Sequence, residues 1–130
     1  MSEPDPAQTI SAFVDAFIAA WRSRDATALA SYFSEDAVYH NGPLPPVHGL
    51  DAIVAEIASF MEMGGDVGVD IVRMVADGPT VMVERVDHFT RDGQTASLPM
   101  FGVFEIREGR IYAWRDYFDL NQFTSQLSGG

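Results

Sequence analysis

The sequence predicts an α+β fold, with helices packed on one side of a curved sheet. Helix-period apolar patterns fill the first half of the chain, and strand-length apolar runs fill the second. Asp77-Gly78-Pro79, Arg91-Asp92-Gly93 and Arg107-Glu108-Gly109 separate those runs as hairpin turns. Helices first and a meander afterwards is the order of an α+β domain. With no internal repeat, linker or low-complexity tract, residues 1–130 are read as one domain.

The first helix is capped by Asp5, started by Pro6 and closed into a capping box by Gln8. Ile10, Phe13, Val14, Phe17, Ile18 and Trp21 then form one broad apolar stripe. A second, short helix follows Asp25, with Leu29, Tyr32 and Phe33 turned inward. Ser34-Glu35-Asp36 marks a break, after which 37–40 reads as a short strand. The three prolines of Asn41-Gly42-Pro43-Leu44-Pro45-Pro46 exclude helix or central strand there. A third helix spans Leu50 to Met63, presents Ile53, Val54, Ile57, Phe60 and Met61, and ends at Gly64-Gly65. The runs 67–76, 80–90, 95–106 and 110–118 give four long antiparallel strands.

Composition narrows the function classes. A net charge of −11 argues against nucleic acid or an anionic membrane surface as partner. All eight cations are arginine, so a Schiff-base lysine is excluded, and the lack of cysteine excludes a thiolate nucleophile, a disulfide and a zinc–sulfur site. The start of the chain lacks a basic segment followed by an apolar core, and no apolar run reaches the ~18 residues of a membrane span, so a cytoplasmic location is expected. His40, His48 and His88 lack metal-ligand spacing, no glycine-rich phosphate loop is present, and Ser31 and Ser97 have no evident His–Asp partners. Neither cofactor nor metal is expected.

Against this background the charges inside two strands stand out. Arg85 and Asp87 share a strand face with Val81, Val83 and Phe89, and Asp116 shares one with Trp114 and Phe118. An unpaired charge on an inward strand face is costly. If these faces line a cavity, two carboxylates and one guanidinium converge in an apolar pocket, the outline of an acid–base site.

Tyr39-His40-Asn41-Gly42-Pro43-Leu44-Pro45-Pro46, Glu84-Arg85-Val86-Asp87 and Trp114-Arg115-Asp116-Tyr117-Phe118-Asp119-Leu120 together resemble the three signature segments of limonene-1,2-epoxide hydrolases. The likeness extends to Gly102-Val103-Phe104 and the turn at Gly109, in the right order over most of the chain. It implies the cone-shaped fold of the nuclear-transport-factor-2-like superfamily: a curved mixed sheet, mainly antiparallel, with about three helices from the N-terminal half on its concave side. It implies Asp116 as the base that activates a water, Tyr39 and Asn41 as the groups that hold that water, Asp87 as the acid that protonates the epoxide oxygen, and Arg85 as the bridge between the carboxylates. It also implies a small apolar epoxide and water as the reactants.

Elementary chemistry asks for the same residue types. Epoxide opening makes an alkoxide that needs a proton, while water needs a base to become a nucleophile. An ordinary Asp, with a pKa of about 3.9, is ionised at neutral pH, so Asp87 must be lifted well above that value. Arg85 pulls it down, whereas burial and the charge of Asp116 push it up. Burial and like-charge repulsion are expected to win. Leu98 and Met100 on one strand face, with Phe89, Phe118 and Phe123, are the expected substrate wall, suited to a compact cyclic or short aliphatic epoxide. The outward face carrying Phe101, Val103, Arg115 and Tyr117 is too apolar to be fully solvated, so a homodimer through the sheet is expected. Two other readings use the same fold: a ketosteroid-isomerase-like or SnoaL-like isomerase or cyclase, and a non-catalytic small-ligand or protein-binding module. The isomerase has no evident use for an arginine between two carboxylates.

Overall fold

Both apolar periodicities resolve into two layers in the computed structural model of the chain, which describes residues 6–64 and 66–128. The helical layer comprises α1 (Pro6–Ala20), α2 (Ala26–Ala30) and α3 (Leu50–Gly64). The other layer holds β1 (Phe33–Asn41), β2 (Val47–His48), β3 (Asp66–Asp77), β4 (Thr80–Arg91), β5 (Gln94–Arg107) and β6 (Arg110–Tyr117), followed by a further helix, α4 (Leu120–Ser128). The strands form one curved, open sheet in the order β2-β1-β6-β5-β4-β3. Only β1 and β6 run parallel; the other pairs are antiparallel. This mixed, mainly antiparallel sheet with three helices from the N-terminal half is the α+β arrangement expected from the sequence.

The core lies between the layers. Val14, Phe17 and Ile18 of α1, Leu29 of α2, and Ile53, Ile57 and Met61 of α3 are buried against Val81, Val83, Phe104, Ile111 and Trp114. Phe17 is fully buried and meets Phe33, Phe104 and Trp114 edge-on at centroid distances of 5.2–5.8 Å, the geometry favoured by the charge distribution of aromatic rings. The Asp25 carboxylate accepts from the N–H groups of Thr27 and Ala28, as expected of a helix cap. The Asp5 cap and Gly65 lie outside the described residues.

Three details differ from the sequence reading. Ser34, Glu35 and Asp36 do not break the chain: β1 starts at Phe33 and passes through them. The polar residues mark a bulge, where the ladder with β6 shifts register between Phe33 and Val38. The last strand stops at Tyr117, one residue earlier than expected. Helix α4 was not expected at all; the Asp119 carboxylate caps it by accepting from the N–H groups of Asn121 and Gln122.

Candidate active site

A cavity of about 470 Å³ opens between α1, α3, α4 and the inner face of the sheet. Asp87, Asp116, Arg85, Tyr39 and Asn41 all line it, together with Leu98, Met100, Phe89, Phe118 and Phe123. Two-residue alternation aims the β4 pair inward: Val81, Val83, Arg85 and Asp87 are buried, whereas Met82 and Glu84 between them are exposed. Register does the rest. Asn41 stands beside Asp116 and Tyr39 beside Trp114 in the parallel β1–β6 ladder, and Gly102 of β5 lies opposite Asp116.

Arg85 is the hub of the polar cluster. Its Nε donates to Asp87 Oδ1 at 2.9 Å and its Nη2 to Asp87 Oδ2 at 3.3 Å. Nη1 donates to Asp116 Oδ1 at 3.0 Å and Nη2 to Asp116 Oδ2 at 2.7 Å. One planar guanidinium thus forks onto two carboxylates, a task a lysine could not perform. The cluster sits in an otherwise apolar wall, with Arg85, Asp87 and Asp116 each less than a tenth exposed.

That burial is the largest single influence on the Asp87, Arg85 and Tyr39 groups. It pushes the Asp87 carboxyl up, against the opposing charge and hydrogen bonds of Arg85, and the negative charge of Asp116 adds to the rise. Burial also works against the charge on Arg85, but Asp116 and Asp87 outweigh it and hold the guanidinium protonated. The Tyr39 phenol is held well above its ordinary range, first by burial and then by the charge of Asp116, so it stays a neutral hydroxyl.

Trp114 has a role that the sequence reading missed. Its indole Nε1–H donates to Asp116 Oδ1 at 2.7 Å, so Asp116 is held by an arginine and an indole together. The same ring stacks on Tyr39 at 4.3 Å and on Phe104 at 5.3 Å, which fixes its direction. The available signal was its position two residues before Asp116 on one strand face. Phe17 and Ile18 of α1, Trp21 of the 3-10 turn that follows it (Trp21–Ser23) and Leu120 of α4 also line the cavity unannounced, because their apolar stripes read as core.

One exclusion made from the sequence is overturned. Ser97 does have His–Asp partners: His88 Nδ1 lies 2.8 Å from Ser97 Oγ, and His88 Nε2 lies 2.8 Å from Asp70 Oδ2. Ser97 on β5 stands opposite His88 on β4, and Asp70 on β3 is diagonal to His88, all on the sheet face away from the cavity. Ser97 and Asp70 are exposed, and the backbone N–H of Ser97 is taken by Gln126. The group is therefore open to solvent with its nearest oxyanion donor already used, and it ties the strands together.

The family described as SnoaL-like domain matches residues 14–114. The chain is 34% identical over 119 residues to the epoxide hydrolase EphG of Mycobacterium tuberculosis, covering 89% of this chain and 78% of that protein. Among solved structures, an LEH-like epoxide hydrolase of M. tuberculosis superposes with a TM-score of 0.81 at 30% identity, over 97% of this chain and 94% of the other. A Catenulispora acidiphila protein of ketosteroid isomerase-like fold, in complex with trimethylamine, gives a TM-score of 0.80 at 26% identity, covering 88% and 90% of the two chains. A protein from Jannaschia described as a SnoaL-like polyketide cyclase matches with a TM-score of 0.86 over 100% and 99% of the chains, and at 15% identity shares the cone-shaped fold alone.

Proposed function

The chain belongs to the SnoaL-like, nuclear-transport-factor-2-like superfamily and within it to the limonene-epoxide-hydrolase-like family, and from that membership we propose that it is a cofactor-free epoxide hydrolase acting in one step by general acid and base. The observation that carries the proposal is the buried guanidinium of Arg85, which donates to two carboxylates at the wall of an apolar cavity. Proton abstraction beside a carbonyl would leave one of those carboxylates without a task.

Asp116, oriented by Arg85 and Trp114, takes a proton from a water placed between it, Tyr39 and Asn41. The water oxygen attacks one epoxide carbon as the carbon–oxygen bond breaks. Asp87, whose carboxyl burial pushes upward, takes the protonated role and gives its proton to the departing oxygen, and a vicinal diol results. Asp116 ends protonated and Asp87 ionised, so the cycle closes when one proton returns between them. Arg85 stays charged throughout and lowers the cost of holding a net negative pair away from water.

The substrate is an apolar epoxide. A compact ring was expected, yet 470 Å³ lies within the ~300–1,000 Å³ range of pockets that hold drug-sized ligands, so longer or multi-ring epoxides are included. The proposal includes a homodimer through the outer sheet face and a cytoplasmic location, the latter checked by fractionation of the producing cells. Among the described residues no helix is long and apolar enough to cross a membrane.

A single turnover with a cyclic epoxide in ¹⁸O-labelled water tests the mechanism. Direct attack places the label in the first diol formed, whereas an aspartyl-ester route places unlabelled enzyme oxygen there. Asp87→Asn and Asp116→Asn should each lower kcat by about a thousandfold or more with the fold intact, since a positioned acid or base contributes ~10²–10⁴. Failure to open any epoxide would instead favour the isomerase or binding readings. The rate should fall on the alkaline side as Asp87 ionises; a rate that stays flat into the alkaline range contradicts its role as acid.

A further inference from the structure

Gly102 sits in the middle of β5, on the inward face between Met100 and Phe104, both buried and both lining the cavity. A strand interior is a poor place for glycine, which adds no packing and loses more backbone freedom than any other residue on folding. Its backbone does not call for it either: Gly102 is absent from the residues with positive φ. Space is what this glycine supplies. A methyl group there would stand 2.6 Å from Arg85 Nη1 and 2.8 Å from Asp116 Oδ1, well inside van der Waals contact.

Those two atoms are the partners of the 3.0 Å Arg85–Asp116 hydrogen bond, and Asp116 Oδ1 also receives the Trp114 indole N–H. Neither atom can give way alone. Arg85 is pinned on its far side by Asp87, and Asp116 is pinned by Trp114, whose ring is clamped between Tyr39 and Phe104. The geometry points to Gly102 as a positioning residue for the proposed hydrolysis: its missing side chain is the seat of the Arg85–Asp116 contact, and so sets where the base stands relative to the acid. This inference rests on the functional reading above for its effect on rate, but not for its effect on the cluster.

Gly102→Ala tests it, with Gly68→Ala as the control. Gly68 is also a strand glycine without positive φ, and a Cβ there meets only His88 Cβ at 3.9 Å. For Gly102→Ala, kcat should fall by about a hundredfold, the scale of an ångström-sized misplacement, while KM stays within about threefold. Gly68→Ala should leave both unchanged. A second measurement is independent of turnover: the loss of Tm caused by Gly102→Ala should be smaller in an Asp116→Ala background than in the wild type, because one clash partner is gone and Arg85, no longer held by Asp116, is free to move aside. If Gly102→Ala fails to fold alone, folding of the double variant gives the same answer. Equal losses of Tm in both backgrounds, or an unchanged kcat, overturn the assignment. If the wild type opens no epoxide, the functional reading fails and the Tm comparison still decides the role of Gly102.

Discussion

Asp87 is where the environment of the cavity becomes measurable. Free of the fold, its carboxyl titrates near 3.8; folded, burial lifts it higher. The folded protein therefore keeps a proton that the unfolded chain releases. Stability from this group is full below the unfolded value and is lost as pH rises through the folded one. An asparagine at 87 cannot ionise and escapes that loss. The Tm of Asp87→Asn relative to wild type should accordingly rise as pH increases above the unfolded value of 3.8, read by calorimetry; a constant or shrinking difference would mean that Arg85, not burial, governs the group. At this scale the sequence was informative where charge interrupts an apolar alternation, as at Arg85, Asp87 and Asp116. It was silent on Trp114, because a tryptophan among apolar neighbours reads as core and only its ring orientation reveals the N–H. It misled on Ser97, whose partners His88 and Asp70 are distant in sequence and become neighbours only through strand register.

Among the elements, the long strands declared themselves through their turns, and α1 and α3 through their stripes. Helix α4 did not, because Leu120–Ser128 is mostly polar and carries one narrow apolar edge. That edge closes the cavity: Leu120 and Phe123 line it, and Phe123 meets Phe89 edge-on at 5.1 Å. The far end of the helix is tied by Gln126, whose Oε1 accepts from Ser97 N–H at 2.8 Å and whose Nε2 donates to Ser97 C=O at 2.9 Å. Ser97 lies on the stretch of β5 beyond its pairing with β6, so one side-chain amide does the work of a missing strand there. Gln126→Ala should loosen α4. With two hydrogen bonds of ~1 kcal/mol each removed, amide exchange across 120–126 should quicken about tenfold or more, with KM rising and kcat little changed. Unchanged exchange would show that the apolar edge alone holds the helix.

For the molecule as a whole, the outer sheet face is the unfinished surface. Phe101 is 40% and Tyr117 55% exposed, and they form one cross-strand row with Glu84. Met82, Val103 and Arg115 form the next row, with Arg115 paired to Glu105 at 2.5 Å. An apolar centre with charges at its rim is the pattern of a protein interface. Sedimentation at micromolar concentration should give a species of twice 14.3 kDa, and Phe101→Asp should halve it; a wild-type monomer would remove the dimer. The cavity, by contrast, draws Tyr39, Asn41, Arg85, Asp87 and Asp116 all from one chain. Its two halves are joined by a single parallel ladder, in which Tyr39 meets Trp114 and Asn41 meets Asp116. Side chains alternate between faces, so a slip of one residue along that ladder would turn Tyr39 and Asn41 outward and bring Val38 and His40 in. A misthreaded chain thus retains none of the proposed water-holding pair rather than a blurred version of it. The same register that buries the Tyr39 and Trp114 rings also sets the proposed site, and selection for a sound core is at the same time selection for an assembled site.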